Sequence, residues 1–220
     1  VITIKERLLG YKFMAAEAAW IMSGDNRVST IQPFSKVIGN FSDDGILFFG
    51  AYGPKIRDQL AHVLQSLLAD NDSRQAVITI WRQNPRASKD IPCTISCQFM
   101  IRDGYLHCFM NMRSSDAWLG VPYDWFNFSM LSAGVALLLR EKGLNVNLGN
   151  LHFYAASQHL YEKNWEGAEQ CQDGVVLGDY APLDLAEFAS YDDLVNHLWV
   201  IANGVEPNRK FLSEIKSWKG

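Results

Sequence analysis

The chemistry this chain offers begins with Cys93, set in Asp90-Ile91-Pro92-Cys93-Thr94 at the mouth of a β-rich run. A thiol there becomes a nucleophile when a nearby cation stabilises its thiolate. The alternative, which spacing alone favours, is a small buried hydrophobe. Cys97 lies at an even offset, so on a strand it shares the face of Cys93 and is expected in the core. Glu17 falls between Phe13 and Trp20 on the apolar side of a helix. Burial there raises a carboxyl's pKa into the range for proton transfer, unless the residue is simply an exposed or paired glutamate. The densest polar cluster is Asn111–Trp125, NMRSSDAWLGVPYDW. Arg113 and Ser114, with Ser115 beside them, suit an anion; Asp116 suits a polar heterocycle, and Gly120 allows a ligand to come close. Asp124 can read a ligand's edge or cap a helix, a role typically worth about 1 kcal/mol, and local rules favour the cap. Arg74 can bind a phosphate or pair with Asp72. His159 and Tyr161, two residues apart on an extended segment, can reach one sugar hydroxyl together.

Helices and strands must hold these groups in place. Apolar periodicity predicts helices over about Glu6 to Met22 and Pro54 to Leu68, and a long, mostly buried helix over Asp124 to Arg140. Further helices are expected at Tyr191 to Ile201 and Arg209 to Trp218. Ala76 to Trp81 reads as a strand. Thr94 to Arg102 and Tyr105 to Asn111 flank Asp103-Gly104, the strongest hairpin signal in the chain. Leu148 to Ala155 is another strand. Residues 26–50 and 165–188 read as loop or irregular. Mixed helices and strands without regular βαβ alternation indicate an α/β or α+β fold.

The 220 residues suffice for one domain over 1–220, and no composition break demands two. A net charge of −4 argues against a general nucleic-acid binder, yet leaves room for a local cationic pocket for one phosphate. No window holds eighteen uninterrupted apolar residues, so no membrane span is expected. The four cysteines lack zinc-site spacing and are too sparse for a disulfide framework, so no metal is expected and a cytoplasmic setting fits. A start on Val1 suggests missing upstream residues.

Taken in order, Asp72-Ser73-Arg74, Ile91-Pro92-Cys93-Thr94, Arg113-Ser114-Ser115-Asp116, Leu119-Gly120-Val121-Pro122 and His159-Leu160-Tyr161 resemble the thymidylate synthase family, from about Ala16 to Tyr161. The resemblance implies that family's fold, a mixed, mostly antiparallel sheet flanked by helices. It also implies a homodimeric enzyme moving a one-carbon unit from 5,10-methylenetetrahydrofolate, as co-substrate, to C5 of a pyrimidine nucleoside monophosphate. Cys93 would be the nucleophile at C6 and Glu17 the general acid-base. Arg113, Ser114 and Ser115 would bind phosphate, with Arg113 also favouring the thiolate, and Arg74 would cross to the partner's phosphate. Asp116, Gly120 and Tyr52 would lie on the folate side, and His159 with Tyr161 on the 3′-hydroxyl.

Departures from the synthase pattern sharpen the expectation. Thr94 follows the cysteine where a histidine is usual, and Gln75 replaces a second arginine. Gln32 stands where a synthase has a tryptophan. An N-terminal phosphate loop is absent from the chain, and the loss of the loop tryptophan and of an apolar closing tail would leave room for water and loosen the hydride donor. Asp124 occupies the place of an asparagine that reads uracil. Cytosine presents an N4 amino donor and a bare N3 acceptor, which suit a carboxyl that can share a proton. Asp124 therefore resembles the cytidylate 5-hydroxymethylase branch, acting on dCMP or CMP, in which water adds to an exocyclic methylene. The alternatives are a synthase-like C5 methyltransferase on dCMP or dUMP, and an idle relative that binds nucleotide or RNA.

Overall fold

The computed structural model describes residue 7, residues 9–172 and residues 183–204. The chain opens on α1 (Tyr11–Met22), a helix whose alanines and methionines are almost all buried. Residues 26–50, expected as loop, carry a single turn of helix, α2 (Val28–Ile31), and two short 3-10 turns. Next come α3 (Tyr52–Ala69) and the strands β1 (Val77–Thr79), β2 (Thr94–Arg102), β3 (Tyr105–Met112) and β4 (Ser115–Asp116). The long helix α4 (Gly120–Glu141) leads to β5 (Asn147–Ala155), β6 (Gln158–His159), α5 (Trp165–Gln170) and α6 (Tyr191–Ala202). The helix expected at Arg209 to Trp218 lies outside the described residues. No helix among those described is long and apolar enough to cross a membrane.

The main sheet runs in the order β1-β2-β3-β5, antiparallel except for the parallel β3–β5 pair that α4 connects. Asp103 and Gly104 both take positive φ, the conformation a two-residue hairpin turn requires. One face of the sheet buries Phe99, Ile101, Leu106, Met110 and Met112 in a core shared with α1, α4 and α6. Small residues let these helices approach closely. A Cβ on Gly134 of α4 would meet the Tyr191 ring of α6 at 2.7 Å.

Two expectations change here. A bulge between Thr94 and Ser96 inserts one residue into β2, so side-chain alternation shifts by one. Cys97 is fully buried on the core face while Cys93 stays half-buried, so the two cysteines do not share a face. The second change concerns α4. It begins four residues earlier than its periodicity suggests, because the apolar pattern is diluted by Gly120 and Pro122. Asp124 therefore lies inside the helix and caps nothing.

Candidate active site

Cys93 ends the loop that feeds β2, and Arg113 follows β3 directly beside it. The backbone N–H of Arg113 donates to the Cys93 carbonyl at 2.9 Å. Its guanidinium donates to the carbonyls of Pro92 and Ile91, both at 3.1 Å, and one amino nitrogen lies 4.0 Å from the Cys93 sulfur. Arg113 thus clamps the nucleophile's loop. It lowers the thiol's pKa, but burial outweighs it, and Asp124 and Asp90 push the same way as burial. Arg113 therefore lies beside the thiol and favours its thiolate, as expected from the sequence, against the opposing effect of burial.

Tyr52, at the start of α3, accepts hydrogen bonds at its hydroxyl from the Thr94 N–H at 3.3 Å and the Thr94 hydroxyl at 3.1 Å. Burial and the nearby Asp124 and Cys93 raise its pKa. Tyr52, expected on the folate side, thereby stands on the nucleophile side of the cleft. The strand loop it touches is pinned a second time, since Asp90 accepts from the Gly50 N–H at 2.7 Å and Lys55 donates to the Gly50 carbonyl at 3.1 Å.

The facing wall is the seam between α1 and α4. Glu17 is pushed up to about 7 by burial, opposed by a hydrogen bond from the Asn127 amide nitrogen at 2.8 Å. Asp124 is pushed up to about 8 by burial and then by the charge of Glu17. Among the described residues, no hydrogen bond reaches the Asp124 carboxyl. At neutral pH one acid is partly ionised while its neighbour holds its proton, a division that suits paired base and acid roles.

Asp116 behaves differently. Its Oδ1 accepts from the backbone N–H groups of Trp118 at 2.7 Å and Leu119 at 3.1 Å, closing the turn that launches α4. The cap-like role that local rules favour for Asp124 thus falls to Asp116, whose second oxygen remains for a ligand. Gly120 lies between the two acids, with Asp124 Oδ2 and Asp116 Cβ each 3.5 Å from where a Cβ would be. The short parallel pair β4–β6 sets Asp116 opposite His159, and the His159 and Tyr161 rings meet edge-on at 5.0 Å. Ser115 is buried with an unpartnered hydroxyl, and Ser114 is half-buried beside Arg113 in sequence. Arg74 does not join this cluster. It lines a shallow hollow with Asp72, Ser73 and Arg102, and Asp72 lies 3.9 Å from Arg102, the partner it takes in place of Arg74.

Two residues escaped the reading of the sequence. Arg7 is buried with its guanidinium 3.7 Å from the centre of the Trp118 ring, beside Asp116. In sequence it belongs to a short charged run, Lys5-Glu6-Arg7, that reads as a solvated face. Asn127 gave a faint signal only, as a polar residue one turn beyond Asp124 in an otherwise apolar helix. Asp116 Oδ2 and the Trp118-Leu119 turn meet at the start of α4, where Gly120 sits at ordinary contact distance from both acids.

A thymidylate synthase family profile matches residues 1–174. The deoxyuridylate hydroxymethyltransferase of Bacillus phage SP01 is 30% identical over 191 residues, covering 77% of this chain and 48% of that protein. A protein of the same name from Pseudomonas phage M6 is 31% identical over 185 residues, covering 79% and 48%. The chain spans about half the length of these relatives. Thermostable thymidylate synthase A from Bacillus subtilis superposes with a TM-score of 0.65 at 23% identity, over 83% of this chain and 70% of that one. For thymidylate synthase from T4 phage the TM-score is 0.63 at 21% identity, over 89% and 75%. With the profile spanning most of its length, the chain belongs to the thymidylate synthase family.

Proposed function

We propose that this protein is a folate-dependent pyrimidine C5 transferase that hydroxymethylates a cytidine monophosphate, dCMP before CMP. The observation that carries the choice of base is the Asp124 carboxyl, protonated at neutral pH and bare of protein hydrogen bonds. A neutral carboxyl donates its O–H to cytosine N3 and accepts from the N4 amino group, satisfying both edges at once. The same carboxyl, turned over, accepts from uracil N3–H and donates to O4. The phage relatives named deoxyuridylate hydroxymethyltransferases favour that second reading, dUMP.

The reaction assigns each group a task. Cys93 adds to C6, leaving negative charge on C5 that the proton of Asp124 tempers at the ring edge. The folate co-substrate, held against Asp116, Trp118 and Gly120, supplies a one-carbon unit at the oxidation level of formaldehyde. C5 bonds to that carbon and loses its hydrogen, and the folate leaves as tetrahydrofolate. Water then adds to the exocyclic methylene, its proton passing to the ionised Glu17, and the Cys93 thiolate departs from C6. No hydride is needed. Arg113 and Ser114 suit the phosphate, with Ser115 lining the same turn, and His159 with Tyr161 suits the 3′-hydroxyl.

A homodimer is part of this reading. The sheet face opposite the core carries Gln98, His107, Phe109 and His152, with Phe109 and His152 stacked at 4.3 Å. Gln98 donates to the Arg74 carbonyl at 2.7 Å, so Arg74 borders this face, where it can serve a partner's phosphate. The deciding experiment incubates the protein with methylenetetrahydrofolate and either dCMP, CMP or dUMP. Mass spectrometry should find 5-hydroxymethyl-dCMP and tetrahydrofolate. A 5-methyl product with dihydrofolate refutes the hydration step, and turnover confined to dUMP refutes the choice of base.

A further inference from the structure

We propose that Asn127 is a positioning residue for Glu17, holding its carboxylate ionised and oriented for the water-addition step; this rests on the functional reading above. Asn127 lies one turn beyond Asp124 on α4 and is 5% exposed. Its amide nitrogen donates to Glu17 Oε2 at 2.8 Å, the one hydrogen bond that reaches the Glu17 carboxyl among the described residues. The amide oxygen is fully buried and finds no donor. A buried amide left half-satisfied is costly, and an apolar side chain of the same size would avoid that cost. The arrangement makes sense if the nitrogen is what matters.

An N–H aimed at a carboxylate stabilises the charged form, and here it opposes the burial that pushes Glu17 upward. The other groups near Glu17 do not help. Asp124 on α4 holds its proton at neutral pH and offers Glu17 no hydrogen bond, while Tyr52 on α3 and Cys93 at the mouth of β2 feel Asp124 rather than act on Glu17. α2 contributes no titratable side chain. On α6, Asp193 and His197 pair at 3.1 Å, and neither they nor Asp192 acts on Glu17. Asn127 is thus the one group on the seam that favours the ionised base.

A double-mutant cycle tests this, using whichever of dCMP and dUMP the parent protein turns over. Asn127→Leu should move the acid limb of the pH–rate profile about one unit higher, so turnover at pH 7 falls about fivefold and recovers as pH rises. In a Glu17→Gln background the same change should cost nothing further. Asn127→Asp, equal in volume, should move the limb further still and serves if the leucine variant does not fold. An unshifted limb, or losses that add independently of Glu17, overturns the inference while leaving the functional reading intact. A parent protein that neither forms product nor exchanges the C5 hydrogen of either nucleotide overturns that reading, and this inference with it.

Discussion

The loop between α1 and α3 and the seam between α1 and α4 treat their acids in opposite ways. In the loop, Asp25 accepts from the N–H groups of Asn26 and Arg27, the Arg27 guanidinium and the Thr30 hydroxyl. Asp43 and Asp44 are likewise met by backbone N–H groups, and all three carboxyls are held below the usual range. In the seam, Glu17 has one donor and Asp124 none, and both are pushed up. An acid surrounded by donors stays ionised and holds the chain in shape. A buried acid with few donors keeps its proton near neutral pH, where it can be exchanged with a substrate.

The most severe way to break the comparison is to remove the nucleophile the seam faces. Cys93→Ala should lower turnover by about 10⁴-fold or more, without loss of helical content by circular dichroism. Glu17→Gln comes next, with kcat falling about 10²- to 10³-fold at pH 7.5. That variant should also be more stable at pH 8, by about 1–3 kcal/mol. The sign follows from the raised pKa. The native protein holds the proton more tightly than the unfolded chain, so Glu17 destabilises progressively as pH rises from its unfolded value through about 7. The gain measured by urea denaturation should therefore shrink toward pH 4.

Asp124→Asn should shift the ratio of dCMP to dUMP turnover toward uracil by about 10- to 100-fold. An unchanged ratio would remove Asp124 from base recognition. The smallest effect belongs to the loop. Asp25→Ala should cost about 2 kcal/mol of stability, seen in denaturant melts, with kcat little changed. Because the Asp25 pKa is lowered, its contribution is complete above the ordinary carboxyl value and disappears as pH falls below it. A large fall in kcat would mean that loop and seam are not separable.

Local chemistry made part of this legible. Asp103-Gly104 announced its hairpin because only a turn with positive φ at both positions suits that pair. The pairing of Glu17 with the Asp124 helix was not legible, because it depends on how α1 crosses α4. The same holds for Asp116, whose turn-closing bonds come from residues two and three further on, while Asp124 looked more like a cap from its neighbours alone. Arg7 was invisible, and Asn127 nearly so, for a related reason. Hydrophobic periodicity marks a polar residue as outward-facing, and both of these turn inward toward partners set by tertiary packing.

The extra residue near the start of β2 acts as a change of parity. Upstream of it, the alternation of the strand directs Cys93 to the cleft; downstream, the same alternation directs Cys97 and Phe99 to the core. Deleting one residue between Thr94 and Ser96 would keep every reactive group in the protein and still exchange inside for outside at the nucleophile. The thiol would point into the apolar interior and the Thr94 hydroxyl toward the cleft. Whether this sheet presents a reagent or only another core residue is decided by one inserted residue.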